Sequence, residues 1–126
     1  MATITVTTPT VGDDVTPAFT TCTAADKFSA TGGKFILYYK NGAGGALTSA
    51  WALNTLAAPT GTFPAPNAGD SGGNWADLRL SNGIPISTDG VCVIPDAAPY
   101  VDATNFVNLK HVGLTGTPTV AVVGPL

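Results

Sequence analysis

The sequence contains no glutamate and no glutamine, and charged residues make up only 10% of its 126 positions. An average domain has about 25% charged residues. The 44% of hydrophobic residues is too high for a disordered chain, which combines low hydrophobicity with high net charge. Only five residues are basic, and the net charge is −3. Such a chain cannot neutralise a nucleic-acid backbone or bind an anionic membrane by charge, so neither partner is expected.

Histidine and cysteine are also scarce, with one histidine, His111, and two cysteines, Cys22 and Cys92. They lack the paired spacing of a zinc site, so no metal or other cofactor is expected. No basic start followed by an apolar stretch is present, which predicts a chain that stays in the cytoplasm with both thiols free and buried. A disulfide between them is the alternative. No apolar run approaches the ~20 residues of a membrane-spanning helix.

Threonine, glycine and proline are abundant, with 19, 15 and 10 copies. β-Branched residues favour strands, whereas glycine and proline favour turns. The helix-favouring residues Glu, Gln, Lys, Arg and Met are rare or absent. We therefore expect residues 1–126 to form a single all-β domain, whose length is sufficient for an ordinary hydrophobic core.

Short alternating or apolar runs predict the strands. Residues 2–8 alternate apolar and polar side chains, as a half-buried strand does. The run KFILYYK at 34–40 is apolar on both faces, which predicts a central strand. Residues 104–112 and 119–123 are also predicted strands, and 47–57 fits a strand better than a short helix. Seven or eight short strands are expected, forming a β-sandwich or a jelly-roll-like barrel.

Two kinds of segment are expected outside this framework. The N-terminal residues 1–12 and the C-terminal residues 118–126 are extended ends that can add strands to a partner's sheet. Residues 58–74 form a long loop rich in glycine and proline, and loops of that length are usually functional.

The loop contains Gly-Asp-Ser-Gly-Gly at 69–73, the pentapeptide that surrounds the nucleophile of trypsin-like serine proteases. That mechanism needs a histidine and an aspartate that precede the serine in trypsin-like chains. Here the one histidine, His111, follows Ser71. We therefore expect no protease activity and no other enzyme activity.

The remaining polar and aromatic candidates have ordinary explanations. His111 falls on the apolar side of its strand, which predicts a partly buried histidine bonded to a backbone carbonyl. Asp13 and Asp14 resemble the start of a calcium site but are not followed by the rest of such a loop. The residues Tyr38, Tyr39 and Trp51 can form a sugar-stacking platform, although packing in a core or an interface is the favoured interpretation.

Three segments together resemble a known family: ATITVTTPTV at the start, KFILYYKNGAGGA in the middle and TPTVAVVGPL at the end. They are similar to small tailed-phage virion proteins that are encoded near the major capsid protein and serve as capsid decoration or minor head proteins. The match is carried chiefly by residues 37–45, which pair a strand with a turn. The resemblance implies a protein that is assembled in the host cytoplasm, binds the major capsid protein on the capsid exterior, stabilises the head and forms a homotrimer.

Under this interpretation, apolar residues at the two ends and the aromatic residues of the middle are the candidate partner contacts: Ile4, Val6, Trp51, Phe63, Trp75, Val122 and Leu126. Three alternatives stay open. A tail or fibre module that recognises a host-surface glycan or protein would use Trp51, Trp75 and Asp70. A small enzyme is the least favoured class, and a secreted adhesin would be stapled by Cys22 and Cys92.

Overall fold

The computed structural model describes residues 1–12, 14–40, 47, 49–55, 74–78 and 90–126. Within these ranges the chain forms short β-strands and a single 3₁₀ turn at Ala98–Tyr100. The strands are β1 (Ala2–Ile4), β2 (Val6–Thr7), β3 (Phe19–Thr21), β4 (Ala25–Ser29), β5 (Phe35–Lys40), β6 (Ser49–Asn54), β7 (Asn74–Asp77), β8 (Gly90–Ile94), β9 (Phe106–Val112) and β10 (Thr119–Val123).

The strands form two five-stranded sheets that pack face to face. Sheet A has the order β1-β4-β9-β6-β7, and sheet B has the order β2-β10-β5-β8, with β3 also paired to β10. The antiparallel pairs β3·β10, β4·β9, β5·β8 and β6·β7 are nested one inside another along the chain. This nesting is the rolled-up arrangement of a jelly roll, so the predicted β-sandwich is confirmed.

The N-terminal segment contributes to both sheets. β1 pairs in parallel with β4 at the edge of sheet A, and after Thr5 the chain crosses so that β2 pairs in parallel with β10 in sheet B. The alternating run predicts a single strand, and the extended segment predicts an arm for a partner. In the structure both pieces complete the chain's own sheets. The alternation continues across the crossing, so nothing in the pattern marks where the strand changes sheet.

The core lies between the sheets and comes from alternate positions of the strands. In β5 the inward residues Phe35, Leu37 and Tyr39 are each no more than 1% exposed, whereas the intervening residues face outward. Phe28 of sheet A meets Phe35 of sheet B with ring centroids 5.2 Å apart. Strand β9 buries Val107, Leu109 and His111 on one face, as the sequence predicted.

Strand β4 was not predicted, because its inward positions do not read as an apolar alternation. Its buried residues are Asp26 and Phe28. A carboxylate at a core-facing position hides the period-2 pattern that identifies a half-buried strand. Strand β7 begins at Asn74, and Leu78 follows it as a buried core residue.

A tight crossing of backbone segments closes one end of the sandwich. The Gly124 amide donates to the Thr7 carbonyl, and the Leu126 amide donates to the Lys34 carbonyl, both at 2.9 Å. A Cβ atom at Gly124 would lie 2.6 Å from a ring carbon of Phe35. Only a residue without a side chain allows this close approach.

Candidate functional sites

A buried polar network links the two sheets at the end of the sandwich where β5 and β9 finish. The Tyr39 hydroxyl of sheet B lies 2.8 Å from Nε2 of His111 in sheet A. On the other side of the imidazole, Nδ1 lies 2.9 Å from the Thr23 carbonyl and 3.1 Å from Oδ2 of Asp26. Asp26 also accepts hydrogen bonds from the Ala2 amide at 2.9 Å, the Thr23 amide at 2.8 Å and the Thr23 hydroxyl.

The partners of the imidazole fix its tautomer. Nδ1 of His111 faces only acceptors, the Thr23 carbonyl and the Asp26 carboxylate, so it carries the proton. Nε2 then accepts a hydrogen bond from the Tyr39 hydroxyl. Each polar atom of the network has a partner, which is the condition under which buried polar groups are tolerated.

The pKa values of Asp26 and Tyr39 are shifted in opposite directions. Burial alone raises the pKa of Asp26, but hydrogen bonds from His111, Thr23 and Ala2 outweigh it and lower the pKa from 3.8 to about 2. Burial raises the pKa of Tyr39 well above its ordinary value, and nearby Cys92, Cys22 and Asp26 add to this effect. The network therefore holds one negative charge on Asp26 and keeps Tyr39 neutral.

The order Asp26–His111–Tyr39 resembles a catalytic relay, but all three residues are at most 2% exposed. A nucleophile must reach a substrate. The Tyr39 hydroxyl is instead enclosed in the core, where it contacts His111. Among the described residues no group of three or more His, Cys, Asp and Glu side chains could hold a metal ion. What the geometry does is join β1, β4, β9 and β5 by polar contacts through an otherwise apolar core. The predicted bond of His111 to a backbone carbonyl is confirmed, whereas its partners Asp26 and Tyr39 were not predicted.

Both cysteines are free thiols and buried, as predicted, with Cys22 3% exposed and Cys92 fully enclosed. Burial and the neighbouring Asp26 carboxylate raise the pKa of Cys22 to about 12. A thiol with so high a pKa is a poor nucleophile. The two cysteines therefore act as core residues, and they do not form the disulfide bond that the adhesin alternative requires.

Seven apolar residues lie side by side on the outer face of sheet B, with Thr7 at one edge and Thr119 and Lys40 in the row beyond them. One row of paired residues runs Phe19, Ala121, Tyr38 and Val91, and the next contains Val123, Ile36 and Val93. Ala121 and Val123 are buried beneath their neighbours, the other aliphatic residues are half-buried, and Phe19 is 38% exposed. We call these seven residues the sheet B outer face.

A groove of about 380 Å³ opens at the border of this face. Pro17, Phe19, Tyr38 and Val91 provide apolar walls, and Lys40 provides a charge. The Lys40 ammonium lies 4.3 Å from the centre of the Phe19 ring, within the range of a cation–π interaction. The charged end of Lys40 therefore lies over an aromatic ring at the margin of the face.

The outer face of sheet A differs in character. Trp51 alternates with the buried residues Ala50 and Ala52, so it points away from the core, and it is half-buried. On the neighbouring strand, Trp75 pairs with Leu53 and is also half-buried. Both tryptophans of the chain therefore occupy the same outer face.

The fold places some of the predicted partner contacts in the core and others at the surface. Ile4 and Val122 are 2% and 0% exposed and belong to the core, because β1 and β10 turn these positions inward; they cannot be surface contacts in this structure. Val6 is half-buried beside Pro125 in a second groove of about 280 Å³. Leu126 is 57% exposed.

Several sequence candidates lie outside the described residues: Phe63, Asp70, Ser71, Asp13 and positions 58–73 of the long loop. The suggested platform of Tyr38, Tyr39 and Trp51 is not formed, because Tyr39 is in the core and the other two lie on opposite sheets. The sheet B outer face was missed, although its signal was visible. The run at 34–40 is apolar on both faces. This pattern was used only to predict a central strand, although its outward residues Ile36 and Tyr38 also indicate an apolar outer surface.

No protein family model, curated protein or solved structure matches this chain. No helix in the described ranges has the length and apolar character needed to cross a membrane.

Proposed function

We propose that this protein is a structural component of a virus particle that binds the outer surface of a tailed-phage head and stabilises the shell. The observation that carries the proposal is the sheet B outer face. Its seven positions are all apolar, and the neighbouring Lys40 side chain lies over the Phe19 ring. The cores of protein interfaces are depleted in charge and enriched in aromatic residues, as this face is.

The fold and the resemblance support the same proposal. Jelly rolls recur in viral capsid proteins, although a fold by itself does not define a function. The resemblance to phage decoration and minor head proteins rests on residues 37–45, and within this range β5 supplies Leu37–Lys40. A small protein that repeats the same contact across a lattice can resist internal pressure through many modest interactions.

Quantitative mass spectrometry of gradient-purified particles tests the proposal directly. We expect the copy number of this chain to be one to one with the major shell protein, or a simple fraction of it. A few copies per particle would instead place the chain in the tail or fibre. Absence from washed particles would overturn the virion proposal.

A binding assay assigns the contact surface. Tyr38→Asp introduces a charge at the centre of the sheet B outer face and should weaken binding to heads stripped of this chain by about tenfold or more. Thr3→Asp introduces the same charge at an exposed position on the outer face of sheet A and serves as the matched control. Equal binding by both variants and the wild type would exclude the sheet B outer face as the contact.

The proposal includes a homotrimer, the assembly that the resemblance implies. Sedimentation of the free chain and chemical crosslinking on particles measure the subunit number. A monomer in both settings would remove the trimer while leaving capsid binding to be judged by its own assay.

A further inference from the structure

We propose that the outer face of sheet A is a carbohydrate-binding platform in which Trp51 and Trp75 stack on sugar rings. Burying a tryptophan in a core is a large source of stability, yet both tryptophans of this chain point away from the core. This site stands on different residues from the capsid contact and does not depend on the proposed function.

The register of β6 and β7 sets the spacing of the two side chains. Trp51 pairs with Asp77, and Trp75 lies two residues before Asp77 on the same strand. The tryptophans are therefore diagonal neighbours on one face, with ~7–8 Å between their backbone positions. Two aromatic side chains spaced along a sheet surface suit adjacent rings of an oligosaccharide, whose C–H faces are apolar.

One of the two indoles is held in place before any ligand arrives. The Nε1–H of Trp51 donates a hydrogen bond to the hydroxyl of Ser49 at 2.9 Å. Ser49 lies two positions earlier on the same strand, so this bond orients the ring along β6. A fixed ring loses less conformational entropy on binding, which favours affinity.

The polar residues around the tryptophans indicate the kind of ligand. Lys110 pairs with Trp51 in the sheet, and Asn108 and Lys27 occupy the adjoining outward row. The Asn108 amide also donates a hydrogen bond to Asp102 at 2.9 Å, and the Lys27 ammonium lies 4.2 Å from the centre of the Phe106 ring. Lysine is depleted in protein–protein interfaces, so this face is less suited to a protein partner than the sheet B outer face. A sugar combines apolar ring faces with hydroxyl groups that hydrogen-bond to ammonium and amide groups, which matches the interleaved pattern.

Intrinsic fluorescence provides the assay, because both tryptophans of the chain lie on the platform. The purified full-length chain is titrated with soluble oligosaccharides of glucose, galactose, mannose and N-acetylglucosamine. Oligothymidylate is titrated in parallel, because aromatic and basic side chains together also bind single-stranded nucleic acid. We expect saturable fluorescence changes with at least one oligosaccharide and none with oligothymidylate.

Substitutions then locate the site. Trp51→Ala and Trp75→Ala should each raise the dissociation constant about tenfold, the loss expected for one stacked ring. Trp75→Tyr keeps an aromatic face and should retain binding within about threefold, which covers the case in which an alanine variant does not fold. Val11→Ala, at a fully exposed position outside both sheets, is the control and should bind as the wild type does.

Three outcomes overturn the proposal. They are the absence of saturable binding to every sugar in the panel, sugar binding that survives both tryptophan substitutions, and binding of oligothymidylate in place of sugar. A fluorescence change that depends on protein concentration alone would assign the face to self-association and also overturn it.

Discussion

Asp26 stands at a core-facing position of its strand, and its carboxylate makes four polar contacts. Its carboxylate receives hydrogen bonds from His111, Thr23 and Ala2, which join three separate parts of the chain. Removing one member of such a network leaves buried donors without an acceptor. The free-energy penalty of an unsatisfied buried donor is larger than the net contribution of one hydrogen bond to stability. The charge of Asp26 is therefore tied to stability.

Replacing the Asp26 carboxylate tests whether its charge stabilises the fold, because the stability of the variant should then depend on pH differently from that of the wild type. The folded pKa of about 2 lies below the ordinary 3.8, so the stabilisation is complete above pH 4 and is lost as the pH falls toward 2. The lost contribution is about 2 kcal/mol, since one pKa unit corresponds to about 1.4 kcal/mol. Asp26→Asn should be less stable than the wild type at neutral pH by about 2–4 kcal/mol, and the difference should shrink across this interval.

Urea unfolding at a series of pH values measures this difference. The exposed Asp14 supplies the control, because Asp14→Asn should reproduce the wild-type curve. A constant gap between Asp26→Asn and the wild type from pH 5 to below pH 2 would contradict the assignment of the charge to Asp26.

The cysteines give a second prediction at the same scale. The native chain should react very slowly with an aromatic disulfide reagent at neutral pH, because the thiols are buried and the pKa of Cys22 is about 12. In concentrated guanidinium chloride both thiols should react at once. Rapid labelling of one thiol in the native state, or fewer than two thiols after denaturation, would conflict with the buried, unpaired arrangement.

At the scale of elements, the strands that were located best are those whose inward positions are mostly apolar. Strands β5, β9 and β10 were each located within two residues, although His111 takes one inward position of β9. Strand β4 was missed because Asp26 takes one of its inward positions. The network was missed for a related reason. Tyr39 and His111 are 72 residues apart, and only the packing of the sheets brings them together.

The turn that closes the sandwich offers an element-scale test. A Cβ at Gly124 would meet the Phe35 ring at 2.6 Å and the Lys34 carbonyl oxygen at 2.7 Å. Gly32 has nearly the same φ, 158° against 156°, but nothing lies within 4 Å of its Cβ position. Gly124→Ala should therefore be less stable than Gly32→Ala by about 1–3 kcal/mol, the usual cost of overpacking.

Denaturant unfolding of the two alanine variants compares the steric cost of a Cβ atom at two glycines of nearly equal φ. Equal losses of stability in the two variants would mean that the Phe35 ring moves aside at no cost, and the close approach would then be unimportant for the fold.

At the scale of the whole molecule, the jelly-roll topology brings together segments that are distant in sequence. Thr21 pairs with Thr119, and Lys27 pairs with Asn108. Such non-local pairing slows folding, because long loops must close before the contacts form. The main refolding phase should fall on the order of milliseconds to seconds. Stopped-flow fluorescence measures it, and a microsecond phase that recovers all native signal would contradict this expectation.

The N-terminal segment, which is divided between the two sheets, also protects the molecule from fibril formation by covering strand edges. An unpaired strand edge is a template for joining another chain, and β1 covers the edge of β4 while β2 covers part of β10. The following stretch is a protease target, since Val11 is fully exposed. A chain cut there and separated from the N-terminal fragment that carries β1 and β2 should aggregate edge to edge. Limited proteolysis followed by size-exclusion chromatography and thioflavin fluorescence should detect this, whereas a monomeric cut product would show that the edges are harmless.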